Sequence, residues 1–175
     1  MIKFWKQITL TTLLLVAAGC SSDRSVKNMK QNPTSTSQEV LSANTSEIEE
    51  LEQAIHQQVN EYRRSQNLPP LTLNSTISEE ARIHSQNMAD SNTLSHNGFK
   101  GRVEAIGETI PYRSAAENVA TNYGYSDPAT RAVTGWINSP GHQQNMVGDF
   151  DLTGVGIVET SRGQYYLTQI FIRRP

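Results

Sequence analysis

Three residues in this chain have the chemistry to build a site together, His96, Glu117 and His142, and each stands in unusual local sequence. His96 follows Ser95, and Glu117 lies in Ala116-Glu117-Asn118-Val119. His142 closes the run Gly135-Trp136-Ile137-Asn138-Ser139-Pro140-Gly141-His142. Two neutral imidazoles are good ligands for zinc or a similar divalent cation, and a nearby carboxylate can orient an imidazole N–H or hold a metal-bound water. Two protein ligands are fewer than zinc sites ordinarily use, so any such cation would be weakly held and exchangeable. Without a metal, the same groups suit general acid–base chemistry, with Glu117 as base and His96 and His142 as acids, because imidazole titrates near neutral pH. Ser139 stands close before His142 but lacks the Gly-x-Ser-x-Gly elbow that exposes an activated serine, which argues against a nucleophilic role.

Plainer uses stand beside each of these. His96, next to Asn97-Gly98, suits a loop residue bonded to backbone. Glu117 and Asn118 suit a structural pair at a strand start, and His142 suits a cap for the helix that follows Pro140-Gly141. Asn145 reads as a partner for local backbone. Trp136 continues a helical apolar stripe and belongs to the core. His84 falls on the inner stripe of a helix as a satisfied histidine, whereas His56 faces a polar side and should be solvated. Tyr112, Tyr123 and Tyr125 could rim a ligand groove.

Several elements must position these groups. Ile48, Leu51, Ile55, Val59 and Tyr62 recur at three- and four-residue steps, and Ser46 with Glu49 offers a capping box, so a first helix is expected from Ser46 to about Leu68-Pro69-Pro70. A second is expected from about Thr76 to Ser91, with Ile77, Ala81, His84 and Met88 inward. A short helix fits Gly101 to Ile106. Asp127-Pro128 starts another, ending before Pro140. In the tail, Val155 and Ile157 alternate along one strand, and Tyr166, Thr168, Ile170 and Ile172 along a second, with Gly163 as the turn of a closing hairpin. The expected class is α+β, with helices packed on a small antiparallel sheet.

The ends are different in kind. Lys3 and Lys6 precede an uncharged run from Ile8 to Ala18, which reads as an export signal too short to span a bilayer. It ends in Val16-Ala17-Ala18-Gly19-Cys20, which resembles a bacterial lipobox with Ala17 where Leu is commoner. The resemblance implies that residues 1–19 are removed and that Cys20, the sole cysteine, carries the acyl chains of a membrane anchor. Ser21 in place of an aspartate points to the outer membrane if the cell has two. Residues 20–46 are rich in Ser, Thr, Asn and Gln and are expected to be a flexible tether. Without Lys3 and Lys6, 13 basic residues face 17 acidic ones, a formal charge of −4. Such a surface gives no electrostatic reason to bind nucleic acid. Residues 47–175 have the size of one domain.

Ser95-His96, Ala116-Glu117-Asn118-Val119, Trp136 with Asn138-Ser139-Pro140-Gly141-His142, and Gly154-Val155-Gly156-Ile157 with Thr168-Gln169 together resemble the CAP superfamily of cysteine-rich secretory, antigen 5 and pathogenesis-related proteins, in its bacterial SCP-domain branch. The resemblance implies an α-β-α sandwich over residues 47–175, with a cleft holding His96, His142 and Glu117 that binds a divalent cation in several members. Asn118 and Ser139 are further cleft candidates. Ala116 replaces the family's usual glycine, and Ser139 stands where animal and plant members carry a second glutamate. Three functions stay open: an envelope-anchored module binding a peptide, glycan or lipid; a hydrolase of peptide or cell-wall bonds; and a structural lipoprotein with a vestigial cleft.

Overall fold

The computed structural model describes residues 33–175, with side chains from Ser42 onward. The export signal, Cys20 and the tether as far as Asn32 lie outside the described residues. The first helix, α1 (Pro33–Ser65), starts well before Ser46. Residues 33–46, expected as tether, are therefore helical. Proline is preorganised for the first helical position, and extending an existing helix costs far less than nucleating one. No glycine or proline interrupts the run from Thr34 to Ser65. The side chains of residues 42–47 are nevertheless exposed.

The second helix, α2 (Ser75–Ser91), starts where Asn74 Oδ1 accepts from the Ile77 N–H at 3.1 Å. It ends at Asn92, whose φ of 48° is left-handed. The short α3 (Phe99–Gly107) follows, then α4 (Pro128–Ile137), capped by Asp127 accepting from the Thr130 N–H, and α5 (Pro140–Met146). Four strands, β1 (Thr72–Leu73), β2 (Ser114–Tyr123), β3 (Leu152–Glu159) and β4 (Gln164–Arg173), form one sheet in the order β1-β3-β4-β2. The two long pairings are antiparallel and the two-residue β1 runs parallel to β3. The hairpin turns at Gly163, with φ of 75°.

Both faces of the sheet are covered. On one, Ile55 and Val59 of α1 and Ala132, Val133 and Trp136 of α4 pack on Val155, Ile157, Leu167 and Phe171. On the other, Ile77 and Ala81 of α2 and Val103 and Ile106 of α3 pack on Leu152, Ile170 and Ile172. Val155 and Ile157 thus face the layer opposite to Ile170 and Ile172. Each fully buried aliphatic side chain contributes about 1.5–3 kcal/mol, so the two layers hold the sheet from both sides.

Gly154 and Gly156 let α2 press on β3. A Cβ at Gly154 would collide with the backbone of Ile77 and Ser78, and one at Gly156 with that of Ala81 and Arg82. Past β1, side chains close the edge of β3. Ser78 Oγ accepts from the Val155 N–H at 3.2 Å, and Glu52 Oε1 from the Ile157 N–H at 3.0 Å. Glu52 is held in turn by Arg82. Arg63, 1% exposed, donates from Nη1 to the carbonyls of Met146 and Gly148 at 2.8 and 2.9 Å, tying α1 to the end of α5. His56 is half-buried rather than solvated: its Nε2 lies 2.9 Å from the Leu71 carbonyl, because α1 turns that side toward the segment entering β1.

Candidate functional site

The loop between α2 and α3 carries His96, β2 carries Glu117 and Asn118, and α5 carries His142. These three segments meet. His96 Nδ1 donates to Glu117 Oε1 at 2.9 Å, and the rings of His96 and His142 have centroids 6.5 Å apart. With its Nδ1 proton held by the carboxylate, His96 offers the lone pair of Nε2, and its side chain is 54% exposed. Asn118, with no exposed surface, donates from Nδ2 to the His142 carbonyl at 3.1 Å. Asn145 donates from its own Nδ2 to the Glu117 carbonyl at 3.1 Å and to Asn118 Oδ1 at 2.9 Å. Asn145 thus serves distant rather than local backbone. The two asparagines lace α5 to β2 and so fix where His142 stands.

Sequence reasoning missed the group that most changes the chemistry. Arg102 of α3 donates from Nε to Glu117 Oε2 at 3.0 Å, and from Nη2 to Oε1 at 2.9 Å and to Oε2 at 2.8 Å. Its Nη1 donates to the Asn97 carbonyl at 2.8 Å. The two side chains are 9% and 2% exposed, so this is a buried ion pair. One signal was present: Arg102 stands beside Val103 and Ile106, the apolar residues of a short helix, and an arginine turned inward with them must find an anion. His84 stands behind, 3% exposed, donating from Nε2 to the Ser95 carbonyl at 2.7 Å, which holds the loop that carries His96.

Burial disfavours the charged imidazole of His142 and lowers its pKa below the ordinary histidine value, and the neighbouring His96 lowers it further. His84 is also lowered, chiefly by burial, although its bond to the Ser95 carbonyl works the other way. Ser139 starts α5 without a side-chain cap bond, and no histidine hydrogen-bonds its hydroxyl among the described residues. It lines, with His142, a groove of ≈ 260 Å³ that runs along β2 from Val119 to Asn122, with Gly135 and Arg131 on one side and Leu94 on the other. Trp136 is core as expected, 2% exposed, its Nε1 donating to the Val119 carbonyl at 3.1 Å. A larger cleft of ≈ 800 Å³ lies between α1 and α2 and is lined by Glu49, Glu50 and Arg82 with no histidine. The smaller groove is the one that reaches His142.

The match to known proteins rests on this same stretch of chain. The model of the cysteine-rich secretory protein family, CAP, matches residues 56–171. The chain belongs to the CAP family. It is 33% identical over 137 residues to the uncharacterized protein YkwD of Bacillus subtilis (strain 168), covering 75% of this chain and 49% of YkwD, about half that relative's length. A solved extracellular protein of Bacillus anthracis containing an SCP domain is 31% identical, with a TM-score of 0.62 over 72% of this chain and 41% of that one. An outer surface protein of Borrelia burgdorferi shares the fold, with a TM-score of 0.64 at 21% identity over 72% of this chain and 94% of its own. This CAP chain is an α-β-α sandwich. Ala116, in place of the family's usual glycine, lies in β2 without positive φ and needs no glycine there.

For a cation, the donor set is His96 and His142. Their ring centroids stand 6.5 Å apart, and an ion bound by both would draw them roughly 1.5 Å closer. Glu117 cannot join them while Arg102 occupies both of its oxygens. Among the described residues, no group of three or more His, Cys, Asp or Glu is arranged to hold a metal ion.

Proposed function

We propose that this CAP protein is an extracytoplasmic ligand-binding or scaffolding module, anchored to the membrane through lipid on Cys20, which holds a peptide, glycan or lipid at the His96–His142 cleft. The engagement of both Glu117 oxygens by Arg102 carries this reading. A general base needs a free lone pair within reach of its substrate, and this carboxylate is buried and already bonded to three donors across Arg102 and His96. Glu117 acts instead as an orienting group for His96. The Bacillus anthracis relative's description as an extracellular protein supports an extracytoplasmic place for this chain. His96 and His142 would hold a divalent cation, zinc or similar, with water completing its shell. Such an ion would polarise a bound carbonyl or phosphate.

Titrating ZnCl₂ into the full chain by calorimetry tests the cation. Binding weaker than about 1 μM, lost in the double variant His96→Ala, His142→Ala, and weaker below about pH 6, is expected because ligating imidazoles must be neutral. Hydrolysis of fluorescent casein or of purified cell-wall sacculi by the full chain, abolished in that variant, would refute the binding-module reading in favour of a hydrolase.

A further inference from the structure

The sheet is open on one side. β2 pairs with β4 on one edge and with no strand among the described residues on the other. Asn145 takes the carbonyl of Glu117 and Trp136 that of Val119, so the odd-numbered residues of β2 turn their backbone groups away from β4. Thr121 is next in that series. Its outward N–H and C=O have no partner among the described residues, and neither does the Val119 N–H. Thr121 is exposed and lies in the groove that begins at His142.

Three further observations define what fits there. Asn122, 9% exposed, also lines the groove; its Nδ2 donates to the Pro128 carbonyl at 3.0 Å, while its Oδ1 is buried and unpartnered among the described residues. An unmade buried acceptor costs about 1–3 kcal/mol, so an incoming N–H would relieve a standing penalty. Arg131 stacks over the Tyr125 ring at 4.9 Å and pairs with no carboxylate among the described residues, leaving a cation on the wall. Leu94 is 47% exposed on the opposite wall. At ≈ 260 Å³ the groove is smaller than the roughly 300–1,000 Å³ of ordinary small-molecule pockets, and it runs along the strand from Val119 to Asn122.

We propose that the open edge of β2 at Thr121 receives an extended peptide as an added strand, with an acidic residue of that peptide at Arg131 and an apolar one against Leu94. Thr121 would exchange both of its backbone hydrogen bonds with the peptide, whose path stops short of Val119, 5% exposed beneath the Trp136 indole. This is strand addition, in which main-chain bonds supply affinity and alternate side chains supply specificity. It rests on the binding-module reading and narrows the ligand class to peptide.

The test pans a random decapeptide phage library on the full chain and on its Thr121→Pro variant, with chitotriose and palmitate titrated separately by amide NMR. Proline removes the outward N–H, which an edge strand tolerates, together with the exposed hydroxyl bonds of Thr121 to the Tyr165 carbonyl and from Gln164. Thr121→Val, which loses only the hydroxyl, is the control and should bind the peptides unchanged. Expected is enrichment of sequences with β-branched or aromatic residues at alternate positions and an Asp or Glu. Their synthetic peptides should shift the Thr121 amide and bind Thr121→Pro at least about tenfold more weakly, equivalent to losing about 1.4 kcal/mol. Arg131→Gln should weaken them severalfold. If Thr121→Pro fails to fold, copies of the enriched peptide N-methylated at alternate residues, in both phases, replace it. One phase should lose binding tenfold. No enrichment, or peptides indifferent to these changes, overturns the proposal. In that case chitotriose or palmitate shifting the groove amides would leave the binding module standing with another ligand, and silence from all three would remove both.

Discussion

Replacing Arg102 with methionine should destabilise the fold by about 3–5 kcal/mol, the usual cost of leaving half of a buried ion pair behind. The size follows from the geometry. Arg102 makes three bonds of 2.8–3.0 Å to Glu117 and one of 2.8 Å to the Asn97 carbonyl, in a pair whose side chains are 9% and 2% exposed. Methionine matches much of the volume but strands a carboxylate whose remaining neighbours are His96 at 2.9 Å and His84 at 3.9 Å. Against a total stability of about 5–15 kcal/mol, this is a large fraction. Adding Glu117→Gln removes the stranded charge. The double variant should therefore be more stable than Arg102→Met alone, with a coupling energy within the 0.5–3 kcal/mol usual for contacting residues or above it. Urea denaturation followed by circular dichroism at pH 7.5 measures all four corners of the cycle. A loss below about 1 kcal/mol for Arg102→Met, or strict additivity of the two changes, would show that the pair does not hold the cleft.

Three other outcomes are expected. His84 and His142 have folded-state pKa values below the unfolded value of about 6.5, so both resist protonation in the native state, and stability should fall as pH drops from about 6.5 through those lower values. His142→Gln should lose less stability between pH 7 and pH 5 than the unaltered chain, as read by urea melts at both pH values; an equal or larger loss would contradict the burial described. Gly156→Ala should cost at least about 1–3 kcal/mol because backbone, not a flexible tip, stands in the way. Gly101→Ala in α3, with nothing within 4 Å, should instead stabilise by roughly 0.5–1 kcal/mol, and thermal melts compare the two. Cys20→Ser should move the protein from the membrane pellet to the soluble fraction on cell fractionation, whereas retention in the pellet would deny the anchor.

Local signals were legible where local physics decides. Asp127 marks a helix start by a hydrogen bond that spans three residues, Pro128 by its fixed φ, and Gly163 marks the hairpin by its own backbone angle. β2 gave only the strand start read at Glu117 and Asn118, not its length. Its residues alternate between two covered faces rather than between core and water, so Ser114–Tyr123 lacks the polar-apolar rhythm of a surface strand. The start of α1 was misplaced for a related reason: a polar helical extension carries no apolar stripe to announce it. Of the site, the ordered phrases marked His96, Glu117 and His142. The arginine that determines what Glu117 can do comes from α3, 15 residues away in sequence, and no spacing rule connects the two.

The side-chain seal on β3 limits how copies of this protein can join. Glu52 and Ser78 occupy the N–H groups of Ile157 and Val155 that a neighbouring strand would need, whereas β2 keeps its edge open at Thr121. Strand-to-strand growth requires two usable edges per molecule, one to give and one to receive. Among the described residues β2 is the one long edge left open, since β1 offers only two residues, so two copies meeting β2 to β2 would form a closed pair. Crowding this domain densely on one surface would therefore favour pairs through its sheet over strand-to-strand growth.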